Sequence, residues 1–112
     1  MKILSEEIRK ADLIESDVVF GGDMVKGVVD VEQGLLAIDA EMHADLEKLL
    51  LENGSSQENL WGINLYPEFS DEDFVEFDSM INIRPRQNNR SRYVEDEAIR
   101  NRIIEVVAKW VR

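Results

Sequence analysis

Apolar residues recur along the chain with two periods, and the switches between them predict its elements. Across "EMHADLEKLLLENG", Met42, Leu46, Leu49 and Leu50 fall three and four apart, the spacing of one face of an α-helix. Asn53 continues that face, and Gly54 stands where a left-handed C-terminal cap belongs. Asp39 or a neighbour is expected to cap the start. Ile99, Ile103, Val106 and Trp110 repeat the helical spacing. Glu95, Asp96 and Glu97 suit the positive end of that helix, and Lys109 and Arg112 its negative end. A shorter helix is expected early, opened by Ser5 with Glu6 and Glu7, with Ile8, Leu13 and Ile14 as a partial apolar face.

Between the helices the period falls to two. "ESDVVFGGDMVKGVVDV" is strand-like, with Gly21-Gly22 as a turn or bulge and β-branched Val25, Val28, Val29 and Val31. Glu32-Gln33-Gly34 offers a hairpin loop, with Leu35, Leu36 and Ile38 on the return strand. "LWGINLY" puts Trp61, Ile63 and Leu65 on one face and Gly62, Asn64 and Tyr66 on the other. "FVEFDSMINIR" puts Val75, Phe77, Ser79, Ile81 and Ile83 on one face, and Glu76, Asp78, Met80, Asn82 and Arg84 on the other. With Pro67–Asp73 as the connection, Tyr66 faces Phe74, Asn64 faces Glu76, Gly62 faces Asp78, and Trp61 faces the small Ser79.

The expected order is α-ββ-α-ββ-α in one domain, residues 1–112. The fold class is α+β: two β-hairpins forming an antiparallel sheet of about four strands, with helices on one face and the other open to water.

Composition sharpens this. The chain of 112 residues is 44% hydrophobic and 33% charged, a globular balance. Its lack of cysteine removes disulfides, thiolate zinc sites and thiol chemistry. The opening "MKILSEEIRK" has no signal-peptide apolar region, and no run approaches the roughly 20 apolar residues of a membrane helix. A cytoplasmic protein without membrane contact is expected. The net charge of −11 opposes binding to nucleic acid. It is unevenly spread: residues 1–78 carry −15, whereas residues 79–112 carry +4.

That asymmetry points to "INIRPRQNNRSRYVED". Arg84, Arg86, Arg90 and Arg92 stand just before the acids of the last helix. Arginine's planar fork suits carboxylates and phosphates, so the segment is a candidate site for an anionic small molecule or an acidic protein partner. Asn82, Asn64 and Asp78 would line the neighbouring surface. The competing reading pairs these arginines with acids of the same chain or of a second copy, in a homodimer joined by its −15 and +4 regions.

Other candidates are weaker. Asn64, Tyr66, Glu76, Asp78, Asn82 and Arg84 share a sheet face able to line a polar pocket mouth. Asp39, His43 and Glu47 recur every four residues, and a carboxylate beside a histidine can orient a base, though a boundary histidine is the plainer reading. A carboxylate-dependent enzyme would use Asp78, Glu76 or His43, yet no catalytic signature accompanies them. The acids Asp71, Asp73, Glu76 and Asp78 lack calcium-loop spacing. No cofactor and no metal site is expected.

Taken together, "GDMVKGVVDVEQGLLAID", "HADLE", "LWGINLYPE" and "INIRPRQNNRSRYVED" resemble a family of small uncharacterised bacterial and archaeal proteins, known as a domain of unknown function. The resemblance runs from about Gly22 to the last helix. It implies a single domain and carries over no chemistry.

Overall fold

The computed structural model describes residues 1–14 and 24–112. The expected Gly21-Gly22 turn and the strand-like residues before it lie outside the described residues. The chain folds as an α+β domain in the order β1 (Lys2–Ile3), α1 (Lys10–Ile14), β2 (Val25–Asp30), β3 (Leu35–Ile38), α2 (His43–Glu52), β4 (Leu60–Leu65), β5 (Val75–Glu76) and α3 (Glu97–Trp110). The sheet is antiparallel, with strand order β1-β3-β2-β4-β5. Among the described residues no helix is long and apolar enough to cross a membrane.

The four strands expected become five, because Lys2 and Ile3 pair with Ile38 and Ala37. Two residues are too few to display a period. The first helix accordingly starts at Lys10 rather than at Ser5. β2 and β3 form the expected hairpin, closed by the turn 31–34 with Gly34 at φ 70. The turn is anchored by Asp30, which is fully buried. Its Oδ1 accepts from the amides of Glu32 and Gln33 at 2.9 Å, and its Oδ2 from the Ser55 hydroxyl at 2.6 Å. α3 is held to the same turn, since Trp110 Nε1 donates to the Gly34 carbonyl and Arg102 Nε to the Val31 carbonyl.

Helices cover both faces of the sheet, not one. Odd-numbered residues of β2 and β4, among them Val25, Val29, Trp61, Ile63 and Leu65, pack with Leu36, Ile103, Val106 and Val107 under α3. Val28, Ala37 and Leu60 on the other face pack with Leu46 and Leu50 of α2. All six residues of β4 are therefore buried. α2 ends as expected: Gly54 has φ 99, its amide donates to the Leu51 carbonyl, and the Ser55 amide donates to that of Leu50. This pair of hydrogen bonds satisfies two of the last carbonyls of the helix. Its start differs from expectation. Asp39 lies outside the helix at φ 75, and Met42 is the N-cap, with no side-chain bond to the first turn. α2 is ten residues long, and the sheet face running past its N-terminal end is left partly open.

β5 pairs with β4 in the expected register, Asn64 opposite Glu76 and Leu65 opposite Val75, but it stops after two residues. The alternation through Arg84 does not continue as strand. Residues Met80–Asn82 and Pro85–Gln87 form tight 3-10 turns instead.

Candidate binding groove

β5 stops because the Asn82 side chain takes the place of a strand. Asn82 is fully buried. Its Oδ1 accepts from the Gly62 amide at 2.8 Å, and its Nδ2 donates to the Gly62 and Arg92 carbonyls, both at 3.0 Å. One carboxamide thus supplies the donor and acceptor that a neighbouring backbone would offer β4. Glycine is required opposite it. A Cβ on Gly62 would stand 2.5 Å from Ser79 Cβ and 2.6 Å from Ser79 Oγ. Asn89, also buried, does similar work for the loop. Its Nδ2 donates to the carbonyls of Asn82 and Tyr93, and its Oδ1 accepts from the Glu95 amide.

The four arginine heads of this segment diverge. The Arg84 head stands over the Trp61 ring, its Cζ 4.1 Å from the centroid, and donates to the carbonyls of Gln57 and Leu60. Burial lowers its pKa, and the opposite charge of Glu47 on α2 raises it. The Arg86 head is exposed and joins no described residue by a hydrogen bond or ion pair. Arg90 contributes through its backbone: its amide and the amide and hydroxyl of Ser91 donate to Glu95 Oε2. Those three donors, with the charge of Arg90, hold the Glu95 carboxyl below the usual range. Arg92 Nε donates to Asp78 Oδ1 at 2.6 Å. The helix expected from Glu95 therefore starts at Glu97, with the Asp96 side chain accepting from the Ala98 amide as N-cap.

One of the four arginines reaches the open part of the α2 face. There the chain forms a groove of about 480 Å³. Lys26 of β2, His43 at the start of α2, Asn64 of β4, Tyr66, Glu76 of β5, Asp78 and Arg92 supply its polar wall, and Met24, Met42 and Met80 part of its apolar rim. Asn64 Nδ2 donates to Glu76 Oε1 at 2.8 Å and to the Asp78 carbonyl at 3.2 Å. The Tyr66 hydroxyl donates to the same Glu76 oxygen at 3.0 Å. Both contacts follow from the register. Lys26 pairs with Asn64 and Asn64 with Glu76, so the three lie in one row across three strands.

His43 joins this groove rather than an acidic helix face. Glu47 lies toward Arg84, and Asp39 lies 3.7 Å from the amino group of Met1. The ring instead places Nε2 2.8 Å from the Ile63 carbonyl. A carbonyl can only accept, so Nε2 carries the proton and the neutral ring keeps its lone pair on Nδ1. Burial is the largest influence on this histidine and lowers its pKa. The Ile63 carbonyl raises it, Lys26 lowers it, and Asn64 and Asp78 raise it. Asn64 itself is 4% exposed, its Oδ1 is shut off from solvent, and its side chain hydrogen-bonds toward the His43 ring.

Of the residues singled out from sequence, the groove brings together Asn64, Asp78 and Arg92, with Tyr66, Glu76 and His43. It leaves out Asn82, Arg84, Arg86 and Arg90. Lys26 was not anticipated, although its place opposite Asn64 follows once β2 and β4 are paired. The acids Asp71 and Asp73 fall in a 3-10 turn, and no three carboxylates or histidines among the described residues gather as a metal-ligand set.

A second, larger groove of about 830 Å³ runs between α3 and the β5 end, lined by Phe74, Val75, Phe77, Tyr93, Ile104 and Val107 among others. Its cations are already engaged. Lys10 Nζ stands 4.2 Å over the Phe74 ring and donates to the Phe69 carbonyl, Arg100 stacks on Tyr93, and Arg112 pairs with Glu7.

The chain belongs to a family described as a protein of unknown function, DUF5674, whose model matches residues 2–110. No curated protein and no solved structure matches it.

Proposed function

We propose that the protein is a small ligand-binding module whose site is the groove at the start of α2, and that Arg92 is the one arginine of the basic segment to serve it. The observation that carries this reading is convergence. Lys26, His43, Asn64, Glu76 and Arg92 come from five separate segments, yet all line one groove. Its volume falls within the roughly 300–1,000 Å³ of small-molecule sites. Its two cations, Lys26 and Arg92, balance its two carboxylates, Glu76 and Asp78. A polar ligand held by hydrogen bonds therefore suits it better than a bare anion.

Binding is favoured over catalysis by the state of the titratable groups. Asp78 is paired with Arg92, Glu76 accepts from Asn64 and Tyr66, and His43 donates to a backbone carbonyl. Each is thus already engaged within the chain, whereas a general acid or base must reach the proton of its substrate.

The test is amide shift mapping with a set of small polar fragments at millimolar concentration. The expected result is binding that moves the signals of Lys26, Ala44, Asn64 and Asp78 together. Hits confined to residues 84–91, or to the α3 groove, would replace this site with another.

A second reading rests on exposed apolar residues near the larger groove, Phe69 at 52%, Ile104 at 48% and Tyr93 at 47%. There the protein would self-associate, with the oppositely charged regions of two copies assisting. A monomer mass in both low and high salt removes it.

A further inference from the structure

We infer that the free edge of β5 docks an extended segment of a partner protein in which lysine or arginine alternates with apolar residues. This surface differs from the groove at the start of α2, and its role does not depend on what that groove binds. β5 is the last strand of the sheet. The Tyr66 amide donates to the Phe74 carbonyl, and Glu76 pairs with Asn64. In an antiparallel ladder, the residue between two such pairs turns its amide and carbonyl away from the neighbouring strand. Val75 is that residue, and neither group bonds a described residue. Such an edge is a template for one more strand.

Beside this edge lies a groove of about 620 Å³. The rings of Tyr66, Phe69, Phe77 and Tyr93 form its apolar part. Phe69 stacks against Tyr66 at 6.0 Å between centroids and is still 52% exposed. The charge of the groove has one sign. Glu72, Asp73 and Glu76 line it, and no lysine, arginine or histidine does. All three acids are exposed, and none forms an ion pair among the described residues. Glu76 accepts from the uncharged Asn64 and Tyr66. The cations of the adjoining α3 groove are engaged elsewhere, Lys10 over Phe74, Arg100 over Tyr93 and Arg112 with Glu7. Carboxylates around open rings favour an organic cation, whose charge meets the acids while its alkyl stem covers the rings.

The register sets the pattern of the partner. Val75 stands opposite Leu65 and packs, with Phe77, against the core under α3. Val75, Phe77 and Tyr93 line both this groove and the α3 groove, so the apolar surface is continuous. Glu76 lies on the other face, hydrogen-bonded to Asn64. A strand added outside β5 places its residues alternately on the two faces. Those on the Val75 face meet apolar surface, and those on the Glu76 face meet carboxylate. A second copy suits the edge less well. β5 paired with itself across a two-fold axis brings these acids toward their own counterparts, and like charges set opposite one another destabilise a sheet. The net charge of −11 also speeds encounter with a basic partner.

The experiment titrates wild-type protein with a panel of short peptides in which Val, Leu or Phe alternates with Lys or Arg, read by amide shifts. Counterparts carry Glu in place of the bases, a third set has N-methylated backbone amides, and butylammonium stands for the cation alone. At least one basic peptide is expected to saturate, moving the amides of Phe69, Val75, Phe77 and Tyr93. The glutamate peptides, the N-methylated peptides and butylammonium should each bind at least about tenfold more weakly. A variant carrying Glu72→Lys and Asp73→Lys should weaken the basic peptide by a similar factor. Glutamate peptides binding as tightly, or no basic peptide moving those amides, would overturn the inference. So would butylammonium matching the peptides, which makes the groove a site for a small cation. Shifts at the same amides that depend on protein concentration alone, with a dimer mass, would give the edge to a second copy instead. The peptide comparisons use wild-type protein, so they hold even where a variant fails to fold.

Discussion

Replacing Asn82 by alanine tests whether one side chain stands in for the missing part of β5. The substitution removes three hydrogen bonds at 2.8, 3.0 and 3.0 Å and leaves the amide and carbonyl of Gly62 and the carbonyl of Arg92 facing a cavity. A buried polar group left unpaired costs about 1–3 kcal/mol. Three of them, with some relief from water entering the space, give a loss of about 4 kcal/mol. Domains of this size have about 5–15 kcal/mol in total, so the variant should sit near the edge of folding. Its thermal midpoint should drop by roughly 15–20 °C. Asn82→Asp is the sharper partner. It keeps the acceptor for the Gly62 amide but turns a carboxylate oxygen toward two carbonyls, and is expected to be at least as damaging. Urea denaturation followed by tryptophan fluorescence reads the change, since Trp61 lies in the adjoining position of β4. A loss under about 1 kcal/mol for both variants would mean that Asn82 does not hold the segment to the sheet.

Three further outcomes follow from the same contacts. Gly62→Ala should cost about 2–4 kcal/mol, because its Cβ meets Ser79 at 2.5 Å, and overpacked cores lose about that much; Gly62→Ala with Ser79→Gly should recover part of it in the same denaturation assay. Arg84→Ala should cost about 2–3 kcal/mol through the lost Trp61 stacking and two carbonyl contacts, whereas Arg86→Ala should stay within about 0.5 kcal/mol; equal effects would contradict the placement of these heads. His43 is the only histidine, so its imidazole signal can be titrated alone, and its midpoint should fall below the ordinary 6.5. The unfolded chain then binds more protons than the folded one between the two midpoints, so stability should fall as pH drops below about 6.5 and level off below the folded midpoint. His43→Gln should remove that dependence.

Several parts of this architecture were legible in the chain itself. The spacing of Leu46 and Leu50, and of Ile103 and Val106, marks two helices in which these four are buried, with Val107 buried beside them. Alternation on both sides of Pro67–Asp73 sets the register that places Asn64 beside Glu76. Burial of both sheet faces also had a signal, in the consecutive apolar pairs Val28-Val29 and Leu36-Ala37, since strands covered on both faces lose their alternation. The role of Asn82 had none. A polar residue at an alternating position reads as solvent-facing, and hydropathy does not register a carboxamide whose hydrogen bonds are all made inside. Where each arginine head points was not legible for a related reason: composition counts charges, whereas the contacts with Asp78 and Trp61 join residues 14 and 23 positions apart.

Under the proposed function, a ligand enters the groove at the start of α2 and not the arginine loop. Crystals soaked with mixtures of small polar molecules test it most directly. Bound density is expected between His43, Asn64 and Glu76, with the Ala44 amide within hydrogen-bond distance of an acceptor. Density gathered by Arg86 and Arg90, with the groove empty in the same crystals, would contradict it.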